Sequence, residues 1–447
     1  MVYRSAMMRT FGVTVFAAGM LATVAVAQPA APQPGGRGGR GPVVVSPEVK
    51  PDGNVVFRIN APKAEKVTLS ANDATILFSK GGPGPLAGAT KDAVPPGTLL
   101  PTGGPEFKKN EAGIWEATLG PLPPGAYRYV FEVDGVRVLD PVNSRTAESR
   151  ADVWSLFTVS GANLMDTTDV PHGAVAEVFY ASAVLKTTRR MHIYTPPGYE
   201  AGNQKYPVFY LLHGSGDTDD AWVSVGRATF IFDNLIAAKK AKPMIVVMPA
   251  GHQPGNAGFG APPAAGATAV NPFTDEFMTD MMPYVEKHYR TIPDRQHRAI
   301  AGLSMGGSQT MDIAFSHLDK FAQIGVFSSG ASLGGGGGRR GAAAPGAPGA
   351  PPAAPAAQPA TPPAARPARP DFEAIHLADL DNASLKKGTK LVWLATGVDD
   401  TLIASTRSTV ELLKKHGFAP VFKETPGAHS WFNWRNYLIE FTPLLFQ

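Results

Sequence analysis

Cysteine is absent from this chain of 447 residues, so no disulfide braces the fold, and thiolate nucleophiles and thiolate metal ligands are excluded. Charge of one sign is scarce as well. The chain has 41 Lys and Arg against 37 Asp and Glu, a net charge of +4 that is small for the length and gives no reason to expect a nucleic-acid partner. Much of the excess is arginine in low-complexity tracts. An HExxH pair, a close His/Asp cluster and a glycine loop ending in Lys-Ser/Thr are all missing, so neither a metal nor a cofactor is expected. One formal GxGxxG string, Gly36 to Gly41, has no strand before it and no helix after it, and carries no function.

What is present begins with a leader. Arg4 and Arg9 precede an apolar run from Phe11 to Val24, and Ala25-Val26-Ala27 stands before Gln28, which is the build of a secretory signal peptide over residues 1–27. The apolar run is shorter than the ~20 residues a bilayer span needs, so no stable membrane anchor is expected after cleavage. The mature protein is expected in the periplasm or outside the cell.

Two tracts lack the apolar side chains needed to offset the entropy of ordering a backbone: Gln28 to Pro42, and Gly334 to Pro370. Both are expected to be disordered, the first as a linker and the second as an insert. Residues 43–160 are short strand-like runs broken by turns: Val55 to Ile59, Val67 to Ser70, Ile114 to Leu119, Tyr127 to Val133 and Val136 to Leu139. Tyr127, Tyr129, Phe131 and Val133 alternate as one buried face would, and Asp134-Gly135 suits a two-residue hairpin turn. A small β-sandwich is expected, with its aromatics in its core. Ala61-Pro62-Lys63-Ala64, the Trp115 strand, the Pro121 to Gly125 turn and Leu139-Asp140-Pro141 resemble the immunoglobulin-like modules that precede many carbohydrate esterases.

From residue 161 to 447 the pattern is strand then helix, repeatedly, which predicts an α/β domain whose mostly parallel sheet is covered by helices on both faces. The strands expected are Ala174 to Tyr180, Arg190 to Tyr194, Val208 to Leu212, Met244 to Met248, Ala299 to Leu303, Gln323 to Ser328, Leu391 to Ala395 and Val421 to Glu424. Helices are expected around Phe230 to Lys239, Asp275 to His288, from Met305, Ala404 to His416 and near Trp434 to Leu445. The pattern resumes after the 334–370 insert, which is therefore a loop within one domain.

Gly302-Leu303-Ser304-Met305-Gly306 sits where an apolar strand meets a helix, the context that turns a GxSxG string into a nucleophile elbow. A second match, Gly330-Ala331-Ser332-Leu333-Gly334, runs into the Gly/Pro tract, where no helix can form, and Ser332 is rejected. A serine hydroxyl needs a base, and in this fold class the chain order is Ser, then Asp or Glu, then His. His429 follows a late strand in Pro426-Gly427-Ala428-His429-Ser430-Trp431, and either Asp399 or Asp400, both at the end of a strand, can hold its imidazole. Backbone N–H donors for the developing oxyanion are expected from Met305 and from His213-Gly214-Ser215-Gly216, at Ser215. His213 is expected to orient that loop, and Trp222 and His252 are candidates for lining the substrate cleft.

Arg190-Met191-His192-Ile193-Tyr194-Thr195-Pro196-Pro197-Gly198-Tyr199, Tyr210-Leu211-Leu212-His213-Gly214, Ala301-Gly302-Leu303-Ser304-Met305-Gly306-Gly307 and Gly427-Ala428-His429-Ser430-Trp431 together resemble the esterase D family of α/β hydrolases. That family includes feruloyl, acetyl xylan and enterochelin esterases, formylglutathione hydrolases and mycolyl transferases. The resemblance implies an acid in a Gly-x-x-Asp-x-Leu pattern, which Gly397, Asp400 and Leu402 match, and so favours Asp400. It implies an exported serine esterase acting on feruloyl or acetyl esters of polysaccharide, or on a small ester. Acyl transfer, siderophore-ester hydrolysis and a silent carbohydrate-binding protein are the alternatives. The insert after Leu333 departs from the family.

Overall fold

The computed structural model describes residues 44–71, 73, 104–253, 272–331 and 371–447. The expected signal peptide, the 28–42 linker, the Gly36 to Gly41 string, Ser332 and the 334–370 insert lie outside the described residues.

Among the described residues nine strands come first: β1 (Glu48–Val49), β2 (Val55–Asn60), β3 (Val67–Ser70), β4 (Lys108–Lys109), β5 (Ile114–Leu119), β6 (Gly125–Val133), β7 (Val136–Val138), β8 (Thr146–Glu148) and β9 (Val153–Val159). They form two antiparallel sheets, β1-β2-β5-β4 and β3-β6-β9-β8, with β7 paired to β6. Alternation along β6 turns Tyr127, Tyr129 and Phe131 inward, where all three are fully buried against Phe57 of one sheet and Phe157 of the other. These aromatics fill the space between two facing sheets. At the β6–β7 hairpin Asp134 and Gly135 both take positive φ, 50° and 83°, the conformation that matches the twist of the flanking strands.

The second part alternates strands with helices. Its strands are β10 (Ala174–Ser182), β11 (Thr187–Thr195), β12 (Val208–Leu212), β13 (Ile245–Pro249), β14 (Arg298–Leu303), β15 (Gln323–Phe327), β16 (Leu391–Gly397) and β17 (Val421–Thr425). Among the described residues they form one sheet in the order β10-β11-β13-β12-β14-β15-β16-β17, antiparallel at β10 and β11 and parallel from β13 onward. The helices are α1 (Ala228–Ala237), α2 (Pro272–Glu276), α3 (Met282–His288), α4 (Met305–Ser316), α5 (Phe372–Leu380), α6 (Ala383–Gly388), α7 (Ile403–Lys415) and α8 (Trp431–Phe441). A π-helical turn, Phe277–Met281, joins α2 to α3.

Central strands are mostly apolar because both faces are covered. In β12, Tyr210 and Leu212 face a core shared with α4 and α7, while Phe209 and Leu211 face one shared with α1 and α8. No described helix is long and apolar enough to cross a membrane.

The two parts pack as one compact unit from Val44 to Gln447. Arg435 of α8, fully buried, donates to the carbonyls of Ala126 at 3.2 Å and Val225 at 2.8 Å, and Phe432 enters the core between the N-terminal sheets beside Tyr127. Because β12 to β17 run parallel, the loops after their carboxyl ends gather at one edge, the usual place for chemistry in such a sheet.

Candidate active site

Ser304 occupies the sharp turn between β14 and α4 with φ 52° and ψ −115°, a conformation that costs a non-glycine residue about 1–3 kcal/mol. The turn is held by Ser304 N–H donating to the Phe327 carbonyl at 2.9 Å. Glycine at positions 302 and 306 is a steric requirement. A Cβ on Gly302 would collide with the backbone of Gly306, and one on Gly306 would stand 2.6 Å from the His213 carbonyl. The elbow thus packs directly on the loop that follows β12.

His429 and Asp400 arrive from the two strands beyond. Val398 N–H donates to the Thr425 carbonyl at 2.8 Å and Asp399 N–H to the Gly427 carbonyl at 3.0 Å, so the loops after β16 and β17 are zipped together. Asn433 of α8 donates to the Pro426 carbonyl at 2.9 Å and fixes the second loop from below. In this frame His429 Nε2 lies 2.9 Å from Ser304 Oγ, and its Nδ1 lies 3.1 and 3.0 Å from the two oxygens of Asp400. Burial pushes the Asp400 carboxyl up, but hydrogen bonding and charge at His429, with the Leu402 N–H at 2.8 Å, outweigh it and hold the group below its ordinary value. Asp399 is exposed. A hydroxyl, an imidazole and an ionised carboxylate in this order can pass the serine proton to the imidazole while the carboxylate fixes its tautomer.

Met305 opens α4, so its N–H is among the first four of the helix, which have no acceptor within it. Beside it, a Cβ on Gly214 would stand 3.5 Å from Ser304 Cβ, which places the Gly214-Ser215-Gly216 loop alongside the nucleophile position; Ser215 is half-buried there. His213 holds this loop. Its Nε2 accepts from Gly251 N–H at 2.8 Å, so Nδ1 carries the proton and donates to the Gly214 carbonyl at 2.8 Å. Burial pushes His213 down to about 4, and the imidazole stays neutral. His252 is half-buried with Nε2 3.0 Å from the Asp217 carbonyl and its ring 5.2 Å from that of His213, so it ties the loop after β13 to the loop after β12.

Trp222 is a correction. The expected cleft-lining residue is wholly buried, its indole N–H donates to the Leu212 carbonyl at 3.1 Å, and its ring meets Trp431 edge-on at 5.0 Å. It packs in the core between the sheet and α1 and α8, with no surface left for a substrate.

Sequence reasoning did not find Asp217, Gly251 or Asn433, which bond the site's loops, or Arg128 of β6, which donates to Asp217 Oδ1 at 2.7 Å. Gly251 alone left a signal, a glycine just past a parallel strand. Among the described residues no group of three or more His, Cys, Asp and Glu side chains is placed to hold a metal ion.

Comparison with known proteins bears on the family and the fold. The "Putative esterase" family matches residues 182–445. A curated relative, an endo-1,4-beta-xylanase/feruloyl esterase of Xylanibacter ruminicola, is 31% identical over 296 residues, which is 64% of this chain and 36% of that protein. The chain thus spans little more than a third of that relative's length. A ferulic acid esterase from Anaeromyces mucronatus, solved with ferulic acid, aligns over 64% of this chain and 96% of its own with TM-score 0.51 and 22% identity. An enterobactin esterase from Shigella flexneri aligns over 88% and 93% with TM-score 0.53 and 13% identity, a likeness of fold that takes in the N-terminal sheets as well. Both neighbours share the mixed sheet with helices on its two faces.

Proposed function

The chain belongs to the esterase family, by a match over more than half its length, and from that premise we propose that it hydrolyses carboxylic esters through a Ser304 acyl-enzyme. His429 Nε2 takes the Ser304 proton as Oγ bonds to the ester carbonyl carbon, and the developing oxyanion is met by the backbone N–H groups of Met305 and Ser215. As the ester C–O bond breaks, His429 returns the proton to the leaving alcohol. Water then repeats the sequence on the acyl-enzyme and frees the acid. Asp400 holds the imidazole tautomer throughout. The observation that carries this reading is the 2.9 Å contact between Ser304 Oγ and His429 Nε2 at a strained strand-to-helix turn.

The substrates proposed are feruloyl or acetyl esters on plant-type polysaccharide. In support, the curated relative at 31% identity joins a xylanase to a feruloyl esterase. Export by the 1–27 leader belongs to the same proposal, as does an immunoglobulin-like character for the N-terminal sheets and a place for His252 at the cleft. Hydrolysis of 4-nitrophenyl acetate, methyl ferulate and acetylated xylan by the mature protein beside Ser304→Ala is the test. A loss approaching roughly 10⁶-fold in the variant is expected. A protein that cleaves none of the three and takes no fluorophosphonate at Ser304 would end the reading.

A further inference from the structure

The loop of residues 213–217 is held from two directions. His213 and the loop after β13 hold it from within the family match, and the N-terminal sheets hold it from outside. Arg128 of β6 donates from Nη1 to Asp217 Oδ1 at 2.7 Å, Arg150 N–H donates to the Gly216 carbonyl at 3.1 Å, and Ser149 bridges to Asp217 through the backbone. Arg128 is gripped in turn by Asp73, which accepts from its Nε at 3.1 Å and its backbone N–H at 3.1 Å. The three side chains, Arg128, Asp73 and Asp217, are only 16%, 8% and 7% exposed. Asp217 Oδ2 lies 3.7 Å from where a Cβ of Gly214 would be, and that same point is 3.5 Å from Ser304 Cβ. Asp217 N–H also donates to the Gly214 carbonyl at 3.1 Å, so hydrogen bonds link the N-terminal sheets to the loop beside the nucleophile.

We propose that Arg128 is a positioning residue for ester hydrolysis: by pairing with Asp217 it sets the height of the Gly214-Ser215-Gly216 backbone over Ser304. The proposal rests on the reading of Ser304 as nucleophile. Asp73 and Asp217 are like charges in a buried place, and Arg128 is the cation between them; without it they repel. The movable partner is the 213–217 loop, whose two glycines carry no side chain to resist a shift. A donor to an oxyanion works only within about 2.7–3.1 Å, so a displacement of well under an ångström weakens it. It follows that the N-terminal sheets form part of the catalytic apparatus.

The test uses the full mature chain with Arg128→Met, Arg128→Lys and, as a control, Glu148→Gln, which removes a different ion pair between the same two parts, that with Arg190. Competent sites are counted with a fluorophosphonate, and kcat per titrated site and KM are read for 4-nitrophenyl acetate. Arg128→Met is expected to lose about 10- to 100-fold in kcat per titrated site with KM within about twofold, and its phosphonylation rate to fall in parallel, since the phosphonyl oxygen uses the same donors. Arg128→Lys, which keeps the cation but not the fork, should fall between, and Glu148→Gln should match the unmutated chain. If Arg128→Met does not fold, the Lys variant carries the comparison. An unchanged kcat per titrated site in the Arg128 variants, whatever their Tm, would overturn the proposal. An unmutated chain that neither labels nor turns over would overturn the esterase reading itself.

Discussion

Both carboxylate oxygens of Asp400 lie at one edge of the His429 ring, 3.1 and 3.0 Å from Nδ1, while the adjacent Asp399 is exposed. Of the two neighbouring acids only Asp400 is in contact with the imidazole. Asp400→Asn keeps the shape but offers an amide where an acceptor is needed, so the imidazole is stabilised in the wrong tautomer. A fall of about 10⁴-fold in kcat is expected, as in other triads of this type, with KM little changed. Asp399→Asn is expected to stay within about twofold, because an exposed acid loses little when neutralised. Steady-state kinetics of both variants on 4-nitrophenyl acetate checks this, and equal losses would reassign the acid.

Trp222 offers a contrast between packing and recognition. It is fully buried between Leu212 and Trp431, so Trp222→Ala is expected to cost about 3–5 kcal/mol in stability, the range for large core truncations. KM is expected to hold within about twofold. Urea unfolding alongside KM on methyl ferulate separates the two roles. A raised KM with unaltered stability would return Trp222 to the cleft.

The parallel strands were legible because each is a short apolar run followed by a helical pattern, and the Ser304 elbow because its two glycines are a steric necessity. Strand β9 was harder to see. Its Ser155 is buried, with Oγ accepting from Asp140 N–H at 2.9 Å, and a buried polar residue breaks the alternation that marks a strand. The last helix begins at Trp431, three residues before its expected start, because Ser430 leaves the helix in an extended conformation just ahead of it. Trp222 could not be placed from its neighbours: part of what buries it is Trp431, more than two hundred residues away. The link from Arg128 to Asp217 spans 89 residues and runs from a strand of the N-terminal sheets to a loop after β12, and no local pattern encodes it.

Acid should weaken this fold through a buried histidine. Burial pushes His213 down to about 4, with only partial opposition from its bond to the Gly214 carbonyl, whereas in the unfolded chain it titrates near its ordinary 6.5. Between pH 6.5 and 4 the unfolded state therefore holds a proton that the folded state refuses, and stability falls as the pH drops through that window. Above 6.5 the contribution is complete. By about pH 4 the term amounts to about 3 kcal/mol, on the scale of 1.36 kcal/mol for each pKa unit. His376, also pushed to about 4 by burial, acts in the same direction. Protonation would further cost the bond that Nε2 accepts from Gly251 N–H, loosening the loop beside Ser304. His213→Gln removes this titration, so its urea midpoint is expected to be lower than that of the unmutated protein at pH 7 but to fall less steeply between pH 6.5 and 4. Parallel slopes for the two proteins would show that His213 is not the group that titrates.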